Sequence, residues 1–409
     1  MKHILSLLLC IFSLQAWACT SVIVSGDRTT SGRPMLYKHR DTKALLNEVN
    51  YFEGAHYRYI GLTNSTGTRR SVWAGTNETG FSIMNTASYN LKDDTISEDL
   101  MGLEGKIMAE ALGQCASVDE FETFLFNHSK PLYVETNFGV IDAHGGAAYF
   151  EVNNEHYIRY NVADAPGHYM VVTNYSQAGR EADRKGVERK QTADAIMQEL
   201  AAAHPELLPI DHTWFVNNLS RSYRHELLGT TADFCPESGI AVDQDFIPRR
   251  LTSAVVIIEG VRYGENPLHT VMWTEIGYPA CGVTVPLMLG PTNILPAAVQ
   301  HGEKTSAFCQ TAMNLKKHYV FPWTISSGQQ YFRIDAIQKG TEGRPALKAC
   351  AQQAEKDINA LFTPLFDEWT KGNISDSLFY KRYRKQSQMY YSLYTSAYQL
   401  YLSPLNDKL

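Results

Sequence analysis

Residues 19–42 read CTSVIVSGDRTTSGRPMLYKHRDT. The run from Cys19 to Ser25 is short, β-branched and closed by Gly26-Asp27, which reads as a strand. After a Ser31-Gly32 turn, Pro34 to Asp41 supplies the return strand of a hairpin. The hairpin opens on a cysteine and ends on the charged cluster Lys38-His39-Arg40-Asp41. Upstream lies Met1–Ala18, with basic Lys2 and His3, an apolar run from Ile4 to Phe12, and Ala16-Trp17-Ala18 in the small-x-small pattern of a cleavage site. The apolar run is far short of the roughly 20 residues that span a bilayer, so residues 1–18 are expected to be a cleaved signal peptide rather than an anchor. That expectation makes the protein secreted or periplasmic and makes Cys19 the first residue of the mature chain.

A cysteine at that place has three readings. It is an accident of processing, a lipid attachment point, or a nucleophile beside its own α-amine. Lipid attachment usually wants leucine three places upstream, where this chain has Ala16, so a lipid anchor is disfavoured. The third reading has a chemical rationale. A thiolate is a strong nucleophile, and an α-amine titrating near roughly 7.7–8.0 can accept the thiol proton close to operating pH.

The bulk properties of the 409-residue chain set limits on function. A hydrophobic share of 44% with 20% charged residues is that of a core-forming globular protein. With 37 basic against 43 acidic residues and a net charge of −6, there is no electrostatic footprint for nucleic acid. No stretch after the leader is long and apolar enough to predict a transmembrane segment. Seven cysteines are scattered without a CxxC pair, which argues against a metal or redox motif; no metal or organic cofactor is called for. Whether the chain forms a homo-oligomer is left open, and six Asn-x-Ser/Thr matches (Asn64, Asn77, Asn127, Asn174, Asn218 and Asn373) mark sites for glycans only in a host that makes them.

Further along, strands are predicted over 71–75, 80–85, 138–143, 147–152, 168–174, 253–260, 269–276 and 281–289. Helical periodicity interrupts at 105–126, where Ser117 and Glu120 offer a capping box, and at 181–203 and 211–227. Residues 40–70 and 129–136 read as loops. From about residue 293 long helix-like runs take over, the last rich in tyrosine: Tyr380, Tyr383, Tyr390, Tyr391, Tyr394, Tyr398 and Tyr401. These are expected to pack on the main body with their hydroxyls at the edge. Sheet, helices, more sheet and then helices predict an α+β layered fold. The division is a signal peptide at 1–18, a main domain at 19–292, and a helical C-terminal extension at 293–409 packed on the same domain.

The opening CTSVIVSGDRTTSGRPMLYKHRDT resembles the start of the N-terminal-nucleophile (Ntn) hydrolases that cut linear amides: choloylglycine hydrolases, penicillin V acylases and acyl-CoA:6-aminopenicillanate acyltransferase-like proteins. In that family Cys-Thr opens a strand and an Arg-x-x-Asp motif returns to the nucleophile. The matching carboxylate is Asp41, while the family arginine falls on Lys38 with Arg40 adjacent, leaving open which cation faces the thiol. GTNETGFSIMNTASYN (75–90) is similar to the stretch that ends in an oxyanion-binding asparagine, which lands on Asn85. YMVVTNY (169–175) resembles the strand end carrying a second polar contact, Asn174, and LSRSYRHEL (219–227) resembles a Ser-Arg-x-x-Arg segment, pointing to Arg224 with Arg221 as rival. The resemblance runs from Cys19 to about residue 290, and the helical tail has no counterpart in it. It implies an αββα four-layer sandwich and cleavage of the carbon–nitrogen bond of a small N-acyl amide through a thioester. Each residue also has a structural alternative, since Asp41 could cap a loop, Asn85 and Asn174 could end strands, and Arg224 could be a solvated helix charge. An Ntn dipeptidase, to which KHRD fits nearly as well, and a non-catalytic ligand-binding surface lipoprotein are the alternative functions.

Overall fold

The computed structural model describes residues 18–67, 71–341 and 343–406. The expected leader, apart from Ala18, lies outside the described residues. The chain enters through strands β1 (Cys19–Val24) and β2 (Met35–Asp41), then β3 (Asn47–Glu53), β4 (Arg58–Asn64), β5 (Ala74–Asn77) and β6 (Ser82–Ala87). Helices α1 (Glu104–Leu112) and α2 (Val118–Asn127) intervene before β7 (Thr136–Ile141), β8 (Ala147–Val152), β9 (Tyr157–Asn161) and β10 (Tyr169–Val172). Helices α3 (Val187–Ala203) and α4 (His212–Phe215) lead to β11 (Ile240–Val242), β12 (Thr252–Glu259), β13 (Val271–Ile276) and β14 (Thr284–Leu287).

The strands form two large antiparallel sheets, one ordered β10-β1-β2-β12-β13-β14 and the other β3-β4-β5-β6-β7-β8-β9. They face each other. Ile23 of β1 packs into the space over Gly139 of β7, where a Cβ would come within 2.9 Å of Ile23 Cδ1, and Ser21 Oγ meets Tyr149 OH of β8 at 2.9 Å. Outside the first sheet, Val22, Val24 and Tyr37 pack with Ile196 and Met197 of α3 and Phe215 of α4. Outside the second, Phe121 of α2 meets Phe138 and Phe150 edge-on. This is the expected α+β, αββα layering. Strands β1 and β2 are buried along their whole lengths because both of their faces are covered.

The remaining helices are α5 (Ala307–Leu315), α6 (Ile334–Gln338), α7 (Leu347–Thr370), α8 (Asp376–Ser387), α9 (Tyr390–Ala397) and α10 (Gln399–Asn406), with a short strand β15 (Tyr331–Arg333) paired to β11. The helical C-terminal extension is present, and its tyrosines go deeper than the sequence suggested. Tyr383 donates to Pro286 O at 2.9 Å, and Tyr394 and Tyr398 donate to Cys281 O (2.5 Å) and Ala280 O (3.0 Å). These three hydroxyls are buried anchors that satisfy carbonyls around β14 rather than edge groups. Arg221 ties the same region together, bonding Glu355 of α7 through both terminal nitrogens (2.8 and 2.7 Å) and Glu275 of β13 at 3.0 Å. Helix α2 starts with half of the expected capping box: Ser117 Oγ accepts from Glu120 N at 3.1 Å, while Glu120 Oε2 accepts from Ala116 N at 2.7 Å in place of the Ser117 nitrogen. Among the described residues no helix is long and apolar enough to cross a membrane, and Cys19, Cys115, Cys235, Cys281, Cys309 and Cys350 are all free thiols.

Two expectations are corrected. Residues 47–64, read as loop, form the β3–β4 hairpin of the second sheet, and β9 was not foreseen. Of the glycosylation matches, Asn77 and Asn174 are buried and hydrogen-bonded inside the fold, whereas Asn127, Asn218 and Asn373 are exposed.

Candidate active site

Alternation along β1 and β2 builds the site. Cys19 pairs with Arg40 and Ser21 with Lys38 across the ladder, so these four side chains share one face. It is the face of Ile23 and Leu36, turned toward the second sheet. Thr20, His39 and Asp41 take the other face, with Val22 and Tyr37, toward the helices.

The backbone nitrogen of Cys19 donates to Asn174 Oδ1 at 2.7 Å. Asn174 follows β10, and its Nδ2 donates to Ala87 O at 2.9 Å, which fixes the amide's orientation. Arg189, in the first turn of α3, completes the cradle. Its Nη2 donates to the same Asn174 Oδ1 at 2.9 Å, and its Nη1 donates to Cys19 O at 2.6 Å and Thr20 Oγ1 at 3.0 Å. Burial pulls the Arg189 guanidinium down to about 10, with Arg249 adding repulsion.

On the thiol's face Lys38 reaches across to the second sheet. Its Nζ donates to Trp73 O at 2.6 Å and to Asn85 Oδ1 at 2.8 Å. The Asn85 amide is thereby oriented, and its Nδ2 donates to Thr136 Oγ1 at 3.2 Å, leaving one N–H over. Burial brings the Lys38 ammonium down to about 7; the negative charge of a Cys19 thiolate opposes this and Arg40 reinforces it. Burial also raises the nearby Glu104 carboxyl to about 7.

Asp41 does not hold the Cys19 nitrogen. It accepts from Thr252 Oγ1 at 2.7 Å and Arg249 Nε at 2.8 Å, with His39 Nε2 3.5 Å away. Burial holds His39 down to about 4, so it is neutral. Neither arginine of the Ser-Arg-x-x-Arg segment is brought to the cysteine. Arg224 pairs with Glu199 and Glu226, and Arg221 is the ion-pair hub of the C-terminal helices. The arginine that the structure supplies is Arg189, which the sequence offered only as one charge among many in EADRKGVERK (181–190). A cavity of about 600 Å³ opens beside Ala18 and Asn174, walled by Arg189, Arg249 and Asp243 among others. Among the described residues no group of three or more His, Cys, Asp and Glu side chains is placed to hold a metal ion.

No protein-family model matches the chain, and no curated protein matches it. Solved structures do. A Caenorhabditis elegans N-acylethanolamine-hydrolyzing acid amidase ortholog matches 59% of this chain and 92% of its own at 18% identity, with a TM-score of 0.41. A variant of conjugated bile acid hydrolase from Clostridium perfringens matches 70% of this chain and 98% of its own at 12% identity and TM-score 0.43. Penicillin V acylase from Agrobacterium tumefaciens matches 66% and 86% at 13% identity and TM-score 0.34.

Proposed function

We propose that the chain is an exported amide hydrolase whose nucleophile is the thiol of Cys19 and whose general base is the α-amine freed by cleavage after Ala18. The observation that carries this reading is the Asn174 carboxamide accepting from the Cys19 nitrogen at 2.7 Å while Arg189 grips the carbonyl of the same residue. The atom that becomes the amine is thus fixed on both sides, while the thiol lies on the opposite face from Asp41, beside Lys38 and Arg40.

In this reading the amine takes the thiol proton and the thiolate adds to the amide carbonyl. The oxyanion is met by the remaining N–H of Asn85, a neutral donor held by Lys38 and Thr136. The tetrahedral adduct collapses with the carbon–nitrogen bond breaking, and the ammonium of Cys19 protonates the departing amine. Water, deprotonated by the same amine, then hydrolyses the thioester to a carboxylate and regenerates the thiol. Lys38 supplies positive charge on the thiol's side without entering a proton-transfer step.

The test is turnover of a panel of N-acyl amino acids by the processed protein and by Cys19→Ala. Loss of turnover in Cys19→Ala, with an acyl adduct trapped on Cys19 of the wild type, supports the reading; undiminished turnover overturns it.

A further inference from the structure

The Arg40 guanidinium is buried, 3% exposed, directly across the ladder from Cys19. All of its hydrogen-bond partners are neutral. Nη1 donates to Asn47 Oδ1 at 2.6 Å and Ser253 Oγ at 3.2 Å, and Nη2 donates to Asn64 Oδ1 at 2.9 Å. The Trp73 ring lies under the guanidinium at 4.8 Å. Among the described residues no Asp or Glu side chain forms an ion pair with Arg40; Asp41, its sequence neighbour, is committed to Arg249 and Thr252 on the other face. Of five N–H groups, three are taken, and Nε–H and one Nη2–H have no acceptor among the described residues.

A guanidinium buried on amide and hydroxyl oxygens is held in place without a direct ion pair; burial opposes its charge, while a Cys19 thiolate and Asp41, on the other face, favour it. A strut joining β2, β3, β4 and β12 would need no such charge. Lys38, the next cation on this face, hydrogen-bonds among the described residues only to the neutral Trp73 O and Asn85 Oδ1, with the Glu104 carboxyl near enough to favour its charge. Arg40, charged throughout, and Lys38, charged below about 7, therefore both face the Cys19 thiol. The stacked, preorganised fork with unused donors has the chemistry of a carboxylate receptor.

We propose that Arg40 is a specificity residue that receives a carboxylate carried by the substrate close to its scissile amide. This rests on Cys19 being the reacting thiol, and it names the substrate class: short amides with an acidic group either on the leaving amine, as in an N-acyl amino acid or dipeptide, or on the acyl side, as in a succinamic acid.

Iodoacetate and iodoacetamide test it. They are nearly the same size, and each alkylates a thiolate by forming an S–CH2 bond as iodide leaves; they differ in charge and in intrinsic reactivity, and the latter is removed by reference to free cysteine. Each rate on Cys19 of the processed protein is divided by the rate with free cysteine. The proposal expects a normalised preference for iodoacetate of at least tenfold, falling toward one in Arg40→Met and retained in part in Arg40→Lys. A change in thiolate content moves both rates together and leaves the ratio untouched. A second arm compares N-acylglycine with N-acylglycinamide, and succinamate with succinamide, to tell which side bears the acid. A ratio near one in the wild type, or a ratio unchanged in a folded Arg40→Met, overturns the proposal. Iodoacetate preference without turnover of any amide leaves the anion site standing and removes the hydrolase reading. Equal turnover of acids and amides with no iodoacetate preference does the reverse, and failure of both reagents to reach Cys19 removes both.

Discussion

The Arg189 guanidinium donates to the carbonyl of Cys19 at 2.6 Å and to Asn174 Oδ1 at 2.9 Å, so one buried side chain fixes both the Cys19 backbone and the acceptor of its nitrogen. In Arg189→Met the Cys19 carbonyl loses this donor, while Asn174 Oδ1 keeps only the Cys19 nitrogen. An unsatisfied buried group costs about 1–3 kcal/mol, and a misplaced reacting group costs on the order of 100-fold in rate. We expect kcat to fall by about that factor with KM little changed, and the melting temperature to drop. Steady-state kinetics with thermal unfolding checks both.

Asn174 and Asp41 should separate by readout. Asn174→Ala removes the acceptor of the Cys19 nitrogen and is expected to lower kcat/KM about 100-fold in a protein that still folds. Asp41→Asn leaves Arg249 without its buried partner, and breaking such a pair costs about 3–5 kcal/mol. Its expected signature is instability in chemical denaturation. An Asp41→Asn protein with wild-type stability and no activity would reverse the two assignments.

Lys38 gives a pH prediction. Its charge is present below about 7 and lost above it, because burial has lowered it from 10.5. If the cation assists the thiolate, kcat/KM declines as pH rises through about 7. In Lys38→Arg, whose charge persists, that decline moves to higher pH. Stability has its own sign. The unfolded lysine binds a proton that the folded one has released between about 7 and 10.5, so folding stability gains from this group as pH rises through that window. Lys38→Met should flatten the slope in denaturation curves taken across it.

Much of this could be read from the chain beforehand, and the failures have physical causes. CTSVIVS and PMLYKHRD announced β1 and β2 through β-branching and turn residues, and period-two alternation already places Lys38 and Arg40 on the face of Cys19 with Asp41 opposite. Grouping KHRD as one cluster hid that. The asparagines and charged residues of NEVNYFE and RYIGLTN mask the strand pattern of this hairpin, although Asn47 and Asn64 turn out to be ligands of Arg40. Arg189 carried no signal at all. Its burial comes from the docking of α3 on β1 and β10, a tertiary event that leaves its sequence like that of a solvated helix. The Ser-Arg-x-x-Arg segment misled in the opposite way, since Arg221 is a buried arginine with a structural partner set.

That partner set supplies a stability prediction. One cation, Arg221, faces Glu275 and Glu355, and burial pushes the Glu275 carboxyl up while Arg221 holds Glu355 down. Oε2 of Glu275 also finds no partner among the described residues. Glu355→Gln breaks the two-point grip and should destabilise by about 3–5 kcal/mol. Glu275→Gln, which mimics a carboxyl that keeps its proton, should cost far less at neutral pH. Urea titrations of the two variants give the comparison.

The proposed mechanism depends on cleavage of one bond, between Ala18 and Cys19. The decisive measurement is amide turnover by two mass-verified preparations, one beginning at Cys19 and one retaining Ala18. The first is expected to be active and the second roughly 100-fold slower or worse, its nitrogen being an amide that cannot accept a proton. Equal turnover by both would contradict it.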